Sequence, residues 1–375
     1  MDKKPWKFNR EESQCPEKNR FAVTSYIKNK RVEIKIKMIT EIIKIDEQNL
    51  DLHSLVKAAD IIKNGGLVVF PTETVYGLGA NAFDANAVKK IYAAKGRPSD
   101  NPLIVHVSNP EEIYKYAEVP AVAEKIINKF MPAPLTLVLK KLNNKLDATC
   151  ALDTVAIRAP KNMTARKLIE LAGVPVAAPS ANLSGKPSPT SAKHVIKDLT
   201  GIDMIICGEN SEIGLESTVI SFNPDDSLNI LRAGFITRED LSGFDICDNL
   251  KDMQKPPSPG MKYKHYSPDA PLYILSGGEQ AMIDFIKNEA KNKKTGFLCY
   301  GEMTGYFKGC ENIIALSIGS RHNLAEQAYN LFDVLNSFNN LEADVLYSIE
   351  PEKIGVGEAV YDRLIKAAGG KIIKL

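Results

Sequence analysis

Residues 65–106 read GGLVVFPTETVYGLGANAFDANAVKKIYAAKGRPSDNPLIVH. The apolar run from Gly65 to Phe70 has the length and β-branched content of a buried strand. It breaks into a Gly-rich turn carrying Thr72, Glu73, Thr74 and Tyr76. A short helix over Asp84–Ala94 follows. A basic loop, Lys95-Gly96-Arg97-Pro98, then leads through Asn101 into a second apolar strand ending near His106. This order hangs a polar, cationic cluster on strand ends, where open α/β sheets place their ligands.

Working outward, apolar residues recur at helical spacing from Leu52 to Lys63. Strands are expected at Leu103–Val107, Thr136–Lys140, Val155–Arg158, Val176–Ala178, Met204–Ile206, Thr218–Phe222 and Leu228–Leu231. Helices are expected at Ala121–Phe130, Ala165–Ala172 and Ser191–Leu199. Strands and helices mix without strict alternation, which predicts a twisted mixed α/β sheet. Beyond residue 270, strands at Leu272–Leu275, Thr295–Leu298, Ile313–Leu316 and Val345–Ser348 alternate with helical patterns at Glu279–Asn292, Asn323–Phe338 and Ala359–Ala368. That is the signature of a smaller parallel, Rossmann-like α/β domain. No GxGxxG stands at one of its strand-to-helix turns, so a dinucleotide site is not supported there.

The expected organisation is a basic extension (1–37), a first domain (38–248), a Pro-rich linker or lid (249–270) and the second domain (271–375). The extension carries 11 Lys/Arg against five Asp/Glu, and the remaining 338 residues carry 37 against 41. Residues 1–37 lack periodic apolar spacing. They read as a disordered or non-native extension upstream of a natural start at Met38, or alternatively as a basic RNA-binding arm. The linker sequence NLKDMQKPPSPGMKYKHYSPDA holds more aromatic and basic residues than a spacer needs, among them Tyr263, His265 and Tyr266.

With 44% hydrophobic and 25% charged residues, the composition is that of a soluble globular protein. No apolar run reaches the ~20 residues that span a bilayer. Six scattered cysteines with no CxxC fit reduced thiols in a cytoplasmic protein better than disulfides or a zinc site. The mildly acidic body argues against a surface that grips duplex throughout, so any phosphate-binding charge must be local.

Four clusters carry residue types suited to chemistry. Lys95 and Arg97 flank a glycine before a proline, pairing a point charge with a planar fork for phosphate or carboxylate. The stretch Pro179–Thr190, PSANLSGKPSPT, offers small residues, hydroxyls and a following helix N-terminus. Glu216, Ser217 and Thr218 lie in a turn entering a strand, with Arg232 at the end of the next. Arg158 closes the strand TVAIR. Taken singly, each reads better as a solvated turn, a capping loop or an ordinary strand-end charge, but together in one domain they are hard to dismiss. His106 is either a satisfied structural histidine or a polar partner for substrate. No HExxH, GxxxxGK[ST] or Ser-His-Asp order is present.

In this order the segments PTETVYGLGANA, KGRPSDNPLIVH, PLTLVL, TVAIRAP, PSANLSGKPSPT, GLESTVI and ILRAGFIT closely resemble the YrdC-type L-threonylcarbamoyladenylate synthases. The linker SPGMKYKHYSP and the domain after it resemble the long form of that family. The resemblance covers about Ile42 to Leu375. It implies a YrdC-like first domain and the synthesis of threonylcarbamoyl-AMP and pyrophosphate from ATP, L-threonine and bicarbonate, with Mg2+ accompanying ATP. It also implies a downstream complex that transfers the threonylcarbamoyl group to tRNA, with possible tRNA contact. On the same basis Thr74, His106, Arg158, Ala178 and Ser217 are expected to hold threonine and bicarbonate. Arg97, Asn101, Thr154, Ser180, Asn182, Ser188, Arg232 and Tyr266 are expected to hold ATP, with Lys95 and Arg97 the catalytic cations and no protein metal site. Ala133, Ala233 and Asp362 depart from the family's usual Gly, Pro and Asn, and none is an expected ligand. The rival reading is a non-enzymatic double-stranded RNA or tRNA-binding module.

Overall fold

The computed structural model describes residues 20–24, 37–146, 149, 152–247 and 265–375. In chain order the first part consists of β1 (Arg20–Thr24), β2 (Lys37–Lys44), α1 (Leu52–Lys63), β3 (Val68–Phe70), β4 (Gly77–Asn81) and α2 (Ala85–Lys95). It continues with β5 (Ile104–His106), α3 (Ala121–Phe130), β6 (Leu135–Lys140), β7 (Thr154–Arg158), α4 (Met163–Ala172) and β8 (Val176–Ala177). It closes with α5 (Ala192–Asp198), β9 (Met204–Cys207), β10 (Thr218–Phe222) and β11 (Leu228–Arg232). These strands form one 11-stranded sheet in the order β1-β2-β9-β3-β4-β8-β5-β7-β6-β10-β11. Pairing is mixed: β5 with β7 and β6 with β10 are parallel, while β3–β4, β5–β8 and β6–β7 are antiparallel.

The second part runs β12 (Leu272–Ser276), α6 (Glu279–Glu289), β13 (Thr295–Cys299), β14 (Ile313–Ser317), α7 (Leu324–Phe338), β15 (Val345–Ile349), α8 (Val356–Ala367) and β16 (Ile372–Lys374). Its five strands are all parallel, in the order β14-β13-β15-β12-β16. The protein is therefore a mixed-sheet α/β domain followed by a smaller parallel α/β domain.

Strand alternation decides which layer receives which side chain. Val69, Val105 and Ile157 enter the largest apolar cluster, together with Ile91 of α2 and Ile126 of α3. Val68 and Phe70 point the other way, to a cluster closed by Leu55 and Ile62 of α1 and Leu168 and Ile169 of α4. Those two helices cover only part of this second face. Farther along the sheet, Ile104, Val138, Ala156, Val219 and Leu231 form a small separate apolar floor.

The two domains share a core. Val75, Ile213 and Leu215 of the first domain belong to the same buried cluster as Phe297, Phe332 and Leu346 of the second. Gly214 makes this approach possible. Its φ is +79°, and a Cβ there would lie 2.4 Å from the Tyr329 carbonyl oxygen of α7.

Three readings of the sequence need correction. Arg20–Thr24, read as part of an unstructured extension, forms an edge strand antiparallel to β2, from Arg20 opposite Glu41 to Thr24 opposite Lys37. The Gly-rich stretch read as a turn contains strand β4, and the last strand, β16, went unread. Cys207 is disulfide-bonded, whereas Cys247, Cys299 and Cys310 are free thiols. Residues 1–19 and 25–36, and the linker from 248 to Lys264, lie outside the described residues. Among the described residues no helix is long and apolar enough to cross a membrane.

Because Gly214 meets backbone atoms, Gly214→Ala cannot be absorbed by a side-chain rotation. It is expected to cost about 1–3 kcal/mol through backbone strain and overpacking. The urea midpoint should fall accordingly; an unchanged midpoint would mean that the domains are not packed as described.

Candidate active site

A cleft of about 790 Å³, its open mouth included, lies on the uncovered part of the first domain's sheet and is bounded on one side by His265 and Tyr266. It sits across a sheet face and not only at strand ends. Residues two apart on parallel neighbours, Ile104/His106 on β5 and Ala156/Arg158 on β7, face the same way, with His106 directly opposite Arg158.

At the deep end Arg158 is 4% exposed. Its Nη2 donates to Glu73 Oε1 at 2.6 Å and its Nη1 to Thr74 Oγ1 at 3.0 Å. The Pro71–Tyr76 loop holds these acceptors in place through a hydroxyl clasp: Thr72 Oγ1 donates to the Val75 carbonyl at 2.6 Å and lies 2.8 Å from Thr74 Oγ1. Arg158 Nε is buried without a hydrogen-bond partner. Next to this, Ser217 Oγ lies 2.7 Å from Thr136 Oγ1. Arg232 donates to the Ser217 carbonyl at 3.0 Å and to its hydroxyl at 3.1 Å. Burial and then the Arg158 charge push His106 down to about 3, so its imidazole is neutral at pH 7. It acts there as a hydrogen-bonding group, with Nδ1 3.2 Å from the Ile104 carbonyl.

Helix α2 delivers the basic loop. It is capped by Asp84, whose carboxylate accepts from the Asn86 and Ala87 amides, and it ends at Gly96 in the left-handed region (φ 58°). The reversal turns Lys95 inward and Arg97 to the cleft. Lys95 Nζ donates to the carbonyls of Ser180 and Asn182, both at 2.5 Å, and so staples the Pro179–Thr190 loop to the helix end. Burial, with Arg97 adding to it, lowers the Lys95 pKa well below its usual value. Arg97 donates to the Asn101 and Pro102 carbonyls at 3.3 and 3.0 Å, and burial brings it down to about 10.

The remaining wall comes from Glu216 and Tyr266. Glu216 accepts from Ser188 Oγ at 2.6 Å. Burial alone would raise its pKa, but Arg363, Arg232 and the Ser188 hydroxyl outweigh burial and leave it lowered. Tyr266 holds a φ of 63° and packs its ring 5.2 Å from that of Phe332 on α7.

Twelve of the expected site residues therefore line one cleft: Thr74, Lys95, Arg97, His106, Arg158, Ala178, Ser180, Asn182, Ser188, Ser217, Arg232 and Tyr266. Asn101 and Thr154 do not. The Asn101 carbonyl holds Arg97, and Thr154 stands on the cleft face of β7, roughly 13 Å from Arg158 at strand spacing. Sequence reading assigned no role to Glu73, Glu216 or His265, which surround the cleft, and had no signal for Arg363 of α8. Arg363 is fully buried and donates from Nε to Glu216 Oε2 at 3.0 Å.

The cleft thus gathers Lys95, Arg97, Arg158 and Arg232 with hydroxyl and imidazole side chains on one face of the first domain. The family model described as "Telomere recombination" (Sua5/YciO/YrdC) matches residues 60–234, and that described as "Threonylcarbamoyl-AMP synthase, C-terminal domain" matches 236–369. Threonylcarbamoyl-AMP synthase of Bacillus subtilis (strain 168) is 42% identical over 344 residues, covering 88% of this chain and 97% of its own length. That of Pyrococcus abyssi (strain GE5 / Orsay) is 42% identical over 334 residues, covering 85% and 95%. The crystal structure of P. abyssi Sua5 complexed with L-threonine superposes with a TM-score of 0.79 at 41% identity, over 89% of this chain and 99% of that one. The chain belongs to the threonylcarbamoyl-AMP synthase family.

The His106 shift carries a pH signature. Between pH 6.5 and about 3 the unfolded chain binds a proton at this position that the folded chain does not, so stability falls as pH falls. At about 1.4 kcal/mol per pH unit, His106 should account for roughly 2 kcal/mol lost between pH 6.5 and 5. His106→Gln should flatten that part of the urea-midpoint profile; an identical profile would show that His106 titrates normally.

Proposed function

We propose that this protein makes L-threonylcarbamoyl-AMP and pyrophosphate from ATP, L-threonine and bicarbonate, acting in the cytoplasm as a nucleotidyltransferase. One observation carries the reading. All six buried Asp, Glu, Lys and Arg side chains among the described residues, Glu73, Lys95, Arg158, Glu216, Arg232 and Arg363, stand in or against this single cleft. Buried charge concentrated in one cavity is the mark of a site and not of a core. Of these, three cations, Lys95, Arg158 and Arg232, line the cleft against one carboxylate, Glu216, so the cleft is suited to polyanions. The cations are buried, which weighs against the rival duplex-RNA reading, since a phosphate backbone lying on the surface could not reach them.

Threonine fits the deep end. Its carboxylate would take the unpartnered Arg158 Nε, while Thr74, Ser217 and neutral His106 offer short polar contacts and Ala178 leaves room for the substrate. The P. abyssi relative binds L-threonine by its own description. The threonine amine attacks CO2 released from bicarbonate, giving up a proton and forming a carbamate. A carbamate oxygen then bonds to the α-phosphorus of ATP as the bond to the β-phosphate oxygen breaks, and pyrophosphate leaves. Water destroys a free carbamate, so an enclosed pocket protects it. Arg97 and Arg232 would meet charge developing on the phosphoryl oxygens. Asn101 would act by holding Arg97, with Ser180, Asn182, Ser188 and Tyr266 around the nucleotide and Thr154 farther along the same face. Lys95 contributes charge while fixing the loop.

Magnesium would enter with ATP and offset phosphate charge. Among the described residues no three His, Cys, Asp or Glu side chains gather to hold a cation, and Glu73 and Glu216 are each bonded to an arginine. The phosphates and water are the fitting ligands. The product would then pass to a complex that transfers threonylcarbamoyl to tRNA.

Pyrophosphate release from ATP should require both threonine and bicarbonate, and Arg97→Ala should slow it about 100-fold in a folded protein. Release that ignores either co-substrate, or no release in folded protein with magnesium, would overturn the reading.

A further inference from the structure

We infer that Arg363, on helix α8 of the second domain, is a positioning residue for the nucleotide pocket, acting through Glu216 and Ala233. The inference rests on the ATP-site reading above.

Its guanidinium joins three segments that reach the cleft separately. Nε donates to Glu216 Oε2 at 3.0 Å, and the other oxygen of that carboxylate accepts from Ser188 at 2.6 Å. Nη1 donates to the Ala233 carbonyl at 2.8 Å, one residue after Arg232, whose own side chain holds Ser217. The guanidinium carbon lies 5.9 Å from the centre of the Tyr266 ring. Asp362 in turn accepts from Arg363 Nη1 at 2.8 Å and from Lys366 at 2.9 Å, which fixes the arginine on its own helix.

This geometry needs a planar fork. A lysine could meet Glu216 or Ala233 but not both along fixed directions. Removing the guanidinium strands a buried carboxylate, and a stranded carboxylate abandons its present position or draws in water. Ser188 would then lose its acceptor, and Arg232 would lose the neighbouring anchor. A site on the first domain is thus completed by a side chain of the second. Arg363 does not line the cleft and touches no reacting group.

The test compares the full-length protein with Arg363→Met, Arg363→Lys and the double variant Arg363→Met/Glu216→Gln. Affinity for ATP with magnesium is read by equilibrium dialysis, and amide hydrogen exchange is followed over residues 186–190 and 214–218. ATP binding should weaken at least tenfold in both single variants. It should recover in part in the double variant, because a neutral amide no longer demands a cation. Exchange should rise in those two segments and stay unchanged in β12, β13 and β15. Wild-type affinity in Arg363→Met, or no recovery in the double variant, would overturn the inference. Absence of ATP binding by the wild type would refute the functional reading instead. The exchange data then decide this one: a rise confined to the two segments upholds the positioning role, and unchanged or global exchange rejects it.

Discussion

Arginine cannot lose its charge at physiological pH, so a buried guanidinium must be surrounded by acceptors or by a ligand that supplies them. Arg158, Arg232 and Arg363 impose that demand on one small volume, and much of the local architecture answers it. Glu73 is held in the Pro71–Tyr76 loop where it reaches Arg158, and Glu216 stands between Ser188 and Arg363. The backbone carbonyls of Ser217 and Ala233 take further N–H groups. The match is incomplete by design of the chain: Arg158 Nε and Arg363 Nη2 remain buried without partners. A protein that needed only stability would do better with apolar residues in these places. Of the two unpartnered nitrogens, only that of Arg158 belongs to a residue that lines the cleft.

Most of this fold could be read from periodicity, because most of its elements are buried on a definite side. Helix α1 runs over Leu52–Lys63 as its i, i+3, i+4 apolar spacing requires, and β10 occupies the expected Thr218–Phe222. Strand β4 escaped because Gly77 and Gly79 erase the alternation on which strand reading depends. The glycines are there for packing. A Cβ at Gly79 would lie 2.6 Å from the Phe70 ring and 2.8 Å from Val176, so the strand exists only if that position has no side chain. Strand β1 sits at the sheet edge, within an extension that lacks periodic apolar spacing.

The site was legible in a different way. Thr74, Arg97, Arg158 and Ser217 lie in separate segments whose convergence no local pattern encodes; the ordered set of motifs, matched to a family, brought them together. Arg363 shows the limit of that route. In the helix sequence VYDRLIKAA it occupies a position indistinguishable from an exposed arginine of an amphipathic helix. It is buried only because α8 docks against another domain, a fact that helical periodicity does not contain. Thr154 shows the converse: the motif names it, but the structure sets it outside the cleft on the shared face.

The second domain is therefore more than an appendage. Leu215 and Glu216 are adjacent: one side chain enters the apolar core of the second domain, and the other holds its arginine beside the cleft. Domain docking and pocket geometry thus depend on the same turn, and neither can change without the other. The same logic applies to Tyr266, whose left-handed backbone is held by packing against Phe332 while its ring walls the cleft. A residue kept in a sparsely populated conformation needs surroundings that over-determine it. Here those surroundings are the second domain, so the chemistry of the first is shaped by the fold of the second.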